Sequence, residues 1–233
     1  MKFCVWSTSS PEQLITQKND TPFEDALKII DEHLAEEINV ADLCQQVGTC
    51  KNVLYKQFNT HLGCASRPGN CYQNILARQM HMDFLNLGFS GCGKAEDAMI
   101  DYLAGLPMVA FISDYDHNAP DAEHLKKTHF KLYEAVRKTH PNMPYIMLSR
   151  YDFNSHYEEN IERRDVIYET YRRARAAGDR NVFYIDGASV FRGQYQEMCT
   201  VDGTHPNDLG FALLADAIGA ELKIAMTQNL LNE

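Results

Sequence analysis

The stretch Thr200-Val201-Asp202-Gly203-Thr204-His205-Pro206-Asn207 sets a carboxylate three residues ahead of an imidazole, with a glycine between them and a proline behind. An imidazole that acts as a general base needs one nitrogen toward the nucleophile. A carboxylate on the other nitrogen holds the ring and stabilises the imidazolium that forms during attack. His205 and Asp202 can therefore serve as two members of a catalytic triad. The same spacing also suits a plain helix-capping turn, and these residues alone leave both readings open.

Such a pair needs a scaffold, and from about Gly63 onward the sequence supplies one. Helical patterns at Tyr72 to His81, Ala95 to Leu106, Ala122 to Thr139 and Asn160 to Ala177 alternate with apolar runs at Phe84 to Phe89, Met108 to Ile112, Tyr145 to Leu148 and Val182 to Ile185. A last helix is expected from about Pro206 to Met226. Nearly continuous apolar strands separated by helices indicate a parallel sheet covered on both faces, with ligands at the carboxyl ends of its strands. The polar loops at that end are 88–93, 114–120, 149–155 and 199–207, which bring in Asp114, Asp116, His117 and Arg150 as residues that would shape a pocket or simply order the loops.

Four blocks in this order resemble the SGNH/GDSL hydrolases. Asp202 to Phe211 is similar to their last block, and Cys64-Ala65-Ser66-Arg67-Pro68-Gly69 to the stretch after the nucleophile in one bacterial branch. Asn86 to Gly91 is similar to the second block, and Asp114 to Pro120 takes the place of the third. The resemblance implies a flavodoxin-like, three-layer α/β domain over residues 63–233 that hydrolyses acyl esters, with carbohydrate esters among its substrates and no cofactor or metal. It implies His205 as the base, Asp202 as its orienting acid, and Gly91 and Asn118 as donors to the carbonyl oxygen that becomes negative. Asn118 also reads as a turn residue before Ala119-Pro120, and Gly91 as a glycine chosen for its backbone.

The chain departs from that pattern where the chemistry begins. Phe58 stands at the place of the nucleophilic serine, and Ser66 corresponds to a different family position. The missing segment would also carry a central strand. Met1 to Trp6 is a candidate replacement, which would set Ser7, Ser9 and Ser10 near the carboxyl end of the sheet as candidate nucleophiles. Impaired turnover is the expectation.

Residues 22–62 resemble the first helix-turn-helix of AraC-type transcriptional regulators, in Ala26 to Ile30, Val40 to Gly48 and Lys51 to Phe58. The resemblance implies a small three-helix module ahead of the hydrolase-like domain, with Lys51, Asn52, Tyr55 and Lys56 facing DNA, and residues 1–21 as an N-terminal segment. Only half of that family's DNA-binding domain is matched, so the chain reads as a fusion of two partial units. Thr21 to Leu62 holds three Lys against seven Asp plus Glu, and the whole chain carries a net charge of −10. Both features count against tight DNA binding, which depends on clustered cations.

Seven cysteines at irregular spacing, without a zinc pattern, read as reduced thiols. The start of the chain has too short an apolar run for a signal peptide, and nothing approaches the roughly 18 apolar residues of a membrane span. A cytoplasmic location and no membrane partner are expected.

Overall fold

The computed structural model describes residues 2–7, 25, 28–29, 40–48, 69–87, 93–151, 156–193 and 196–230. Its strands are β1 (Lys2–Ser7), β2 (Asp83–Leu87), β3 (Ala110–Asp114), β4 (Tyr145–Leu148) and β5 (Val182–Ile185). Its helices are α1 (Val40–Gln46), α2 (Tyr72–Met80), α3 (Asp97–Gly105), α4 (Ala122–Thr139), α5 (Tyr157–Ala176), the single turn α6 (Gly187–Val190) and α7 (Asp208–Leu230).

The strands form one sheet in the order β2-β1-β3-β4-β5. Alternation sorts its side chains between two cores. Phe111, Tyr145, Met147 and Val182 face α3, α4 and α5 together with Leu103, Leu125, Leu132, Val136 and Ile167. Ala110, Ile112, Ile146, Leu148 and Ile185 face α2 and α7 with Leu76, Leu214, Ile218 and Leu222. β3 and β4 are buried on both faces, so neighbouring residues such as Phe111 and Ile112, or Ile146 and Met147, are both apolar and the runs look continuous in sequence.

The helices begin and end for local reasons. Asp121 caps α4 by accepting the His124 amide at 2.7 Å, and Arg137 and Lys138 lie in the last turn, where cations favour the helix dipole. After α2 the chain reverses through His81 in the left-handed conformation (φ 52°), which brings β2 back along the helix that precedes it.

The slot beside β3 is filled by β1, as the sequence suggests, but in the reverse direction. Strands β3, β4 and β5 are parallel, and β1 is antiparallel to both β2 and β3, so β2 shares the direction of β3. Lys2 is registered opposite Asp114, while Ser7 is opposite Asp83 at the other end of the sheet. Five residue steps separate the two positions, or about 17 Å along an extended strand. This corrects the expectation that Ser7 lies at the carboxyl end. Ser9 and Ser10 lie outside the described residues.

Of the expected helix-turn-helix module, α1 and the turn at Gly48 (φ 67°) are described, with Leu43 and Cys44 buried. Lys51, Asn52, Tyr55, Lys56 and Phe58 lie outside the described residues. Cys44 and Cys71 are free, buried thiols, and Cys199 is buried. Among the described residues, no helix is long and apolar enough to cross a membrane.

Candidate active site

The loop from Cys199 to Asn207 closes on itself before α7 begins. Asn207 N donates to Cys199 O at 3.0 Å, Val201 N donates to His205 O at 2.9 Å, and Thr200 and Pro206 form an isolated bridge. Gly203, at φ 86°, makes the reversal that a side chain would strain. Asn207 then locks the loop to the helix. Its Oδ1 accepts the Leu209 and Gly210 amides at 3.0 and 3.2 Å, and its Nδ2 donates to Met198 O at 2.7 Å. Gly210 sits so close that an added Cβ would stand 2.2 Å from Cys199 O.

Within this loop the two readings of Asp202 prove compatible. Oδ1 accepts the Thr204 and His205 amides at 3.0 and 2.8 Å, which is the capping turn. Oδ2 lies 2.6 Å from His205 Nδ1, a geometry in which a carboxylate holds the orientation of an imidazole. The His205 backbone N–H foremost, with the imidazole and the Thr204 N–H, lowers the Asp202 carboxyl to about 2, against the opposing effect of burial. Ionised at neutral pH, this carboxylate can only accept, so Nδ1 carries the shared proton and Nε2 is the ring nitrogen that the carboxylate does not engage. The pair faces solvent, with 55% of the His205 side chain and 52% of the Asp202 side chain exposed.

A second loop follows β3. Asp116–Asn118 forms a 3-10 turn in which the Asn118 amide donates to Tyr115 O at 2.9 Å. Asn118 and Asp116 are buried. Burial raises the Asp116 carboxyl to about 6, although the Arg150 backbone N–H, donating to Oδ2 at 2.8 Å, and the Arg163 guanidinium both pull it down. His117 packs against Tyr151 at 4.7 Å, and Tyr151 against Phe191 at 5.0 Å. Phe191 Cζ in turn lies 3.0 Å from where a Gly210 Cβ would be. This aromatic chain ties the loops after β3, β4 and β5 to the base of the dyad loop. From the other side, Tyr72 donates to Asp114 Oδ2 at 3.2 Å and packs against Phe211 of α7 at 6.5 Å.

The structure thus sets Asp114 at the end of β3, and Asp116, His117, Asn118, Arg150, Asp202 and His205 on the connected loops that follow β3, β4 and β5. Arg150 contributes its backbone to that assembly through Asp116. Gly91, Phe58 and Ser66 lie outside the described residues, and Ser7 lies at the opposite end of the sheet. Among the described residues, no three His, Cys, Asp or Glu side chains stand close enough together to hold a metal ion.

Sequence reasoning missed Arg163, whose guanidinium reaches the Asn118 loop from within α5. The signal was available: Asn160, Arg163, Ile167, Thr170 and Ala174 repeat at helical spacing as one buried face, and an arginine in such a line needs buried partners.

A model of the GDSL-like lipase/acylhydrolase family matches residues 50–223, a span that takes in Lys51 to Phe58. A crystal structure from Bacteroides ovatus described as a GDSL-like lipase is 31% identical, with a TM-score of 0.60 over 70% of this chain and 51% of that chain. The salicylyl-acyltransferase SsfX3 of a tetracycline biosynthetic pathway is 18% identical, with a TM-score of 0.54 over 70% of this chain and 51% of its own, and so is similar in fold. The chain therefore spans about half the length of these two solved proteins. Among curated proteins, none matches.

Proposed function

From the premise that this chain belongs to the GDSL-like lipase/acylhydrolase family, we propose that it is built for acyl-ester hydrolysis, carbohydrate esters included, and that its turnover is impaired. The observation that carries the reading is the 2.6 Å contact between His205 Nδ1 and Asp202 Oδ2, on a loop whose turn is closed by the capping bonds of the same carboxylate. In this reading Nε2 of His205 takes a proton from an attacking water and returns it to the leaving alcohol. Asp202 stabilises the imidazolium between those two events. Asn118 and Gly91 stand as donors to the developing oxyanion.

The impairment follows from Phe58 at the nucleophile's place in the family pattern. A phenyl ring has no lone pair to offer a carbonyl carbon, so no acyl-enzyme forms there. Loss of a triad nucleophile removes roughly three to six orders of magnitude in rate, with the remainder supplied by oxyanion donors and binding. The test is hydrolysis of p-nitrophenyl acetate by the full chain beside His205→Ala. A weak rate without a burst that falls with the substitution supports the reading, and a rate indifferent to His205 removes it.

A further inference from the structure

The Asn118 loop is gripped by one buried cation. Arg163 Nη1 donates to Asp116 O at 2.9 Å and approaches Asp116 Oδ1 at 3.4 Å, while Nη1 and Nη2 both donate to Ala119 O at 3.1 Å. Its Nε donates to Glu159 Oε1 at 2.7 Å, one turn back on α5. Only 4% of the Arg163 side chain is exposed.

A guanidinium is costly to bury, and an apolar side chain of similar size would fill the same line of α5 without that cost. What an apolar chain cannot do is join two carbonyls three residues apart. Asp116 O and Ala119 O bracket His117 and Asn118, so the fork fixes both ends of the turn that carries Asn118. The second Asp116 oxygen accepts the Arg150 amide at 2.8 Å, which extends the grip to the β4 loop and so to Tyr151 against His117.

We propose that Arg163 is the positioning residue of the oxyanion side of the site: its fork sets the distance between Asp116 and Ala119 and hence the direction in which Asn118 presents its amide. The assignment of Asn118 as an oxyanion donor rests on the function proposed above; the clamp itself does not. Lysine would keep the charge beside Asp116 but lacks the planar pair of donors needed to serve both carbonyls.

Hydrogen exchange measured by NMR on the full chain separates positioning from general stability, because the Asn118 amide reports the turn directly through its bond to Tyr115 O. In Arg163→Lys, exchange at Asn118 and Ala119 is expected to accelerate at least tenfold and the Asn118 side-chain amide signals to shift. Amides of β4, β5 and the Thr204 to His205 turn should stay within about twofold of wild type. Glu159→Gln, which alters only the partly exposed partner, should give a smaller change at the same two amides. A folded Arg163→Lys protein whose Asn118 protection is unchanged, or which loses protection uniformly, overturns the proposal. None of these readouts needs turnover, so a failed esterase assay and a failed clamp are told apart.

Discussion

Replacing Asp202 by asparagine tests whether the carboxylate sets the state of the imidazole or merely closes a turn. In the native loop, Oδ1 accepts two backbone amides at 2.8 and 3.0 Å, and Oδ2 faces His205 Nδ1 at 2.6 Å. An asparagine can keep its carbonyl oxygen on the two amides, which leaves its NH2 group facing Nδ1. Two donors cannot share one hydrogen bond, so Nδ1 must become the acceptor and the ring proton must move to Nε2. The cost in stability is small. The Asp202 carboxyl is lowered to about 2, so its stabilising effect is complete above the unfolded value near 3.8 and is lost as pH falls through about 2. With 52% of its side chain exposed, solvent screening reduces the worth of that shift to about 1 kcal/mol or less at neutral pH. The expected result of Asp202→Asn is therefore a midpoint lowered by a few degrees with the His205 tautomer inverted. Long-range 15N NMR of the ring nitrogens, at a pH where the imidazole is neutral, reads this directly. Any His205-dependent ester hydrolysis should fall by roughly 10²- to 10⁴-fold alongside. If Nδ1 stays protonated in the variant, the carboxylate does not set the tautomer and the argument for a poised base fails.

Three further outcomes are expected. Gly210→Ala forces a Cβ to within 2.2 Å of Cys199 O and close to Phe191 and Pro206, so urea unfolding should show a loss of about 2 kcal/mol or more; a neutral result would mean the dyad loop is not seated on α7. Val5→Pro removes a backbone donor from a strand paired on both sides, opposite Leu85 and Phe111, and should lower the melting temperature, whereas an unchanged melt would remove β1 from the sheet. Burial raises the Asp116 carboxyl to about 6, so its contribution to stability is full below about 4 and is lost as pH rises through about 6. Asp116→Asn should flatten the stability profile across that window by up to about 3 kcal/mol, and coincident profiles would contradict the assignment.

The order and type of the elements after Gly63 were legible because strands buried on both faces leave runs such as Tyr145 to Leu148, and helices leave spaced lines such as Leu125, Leu132 and Val136. Boundaries drifted where polar residues extend a strand toward the site: β3 continues through Ser113 and Asp114, beyond the apolar run that marks it. The direction of β1 was not legible, since a period of two reads the same from either end and only the pairing register distinguishes them. That ambiguity is what misplaced Ser7. Asp202 and His205 announced themselves by spacing, but the division of labour between the two carboxylate oxygens exists only once Gly203 has turned the backbone. Arg163 was hidden because its partners, Asp116 and Ala119, lie more than forty residues away and act mainly through backbone oxygens that no side-chain pattern encodes.

In the proposed function, His205 and Asp202 are assembled without the serine they would activate. Intact-mass spectrometry of the full chain after incubation with a fluorophosphonate measures this most directly. No serine adduct above the level of His205→Ala is the predicted result; a stoichiometric adduct on one serine of the wild-type chain, absent from His205→Ala, would contradict it.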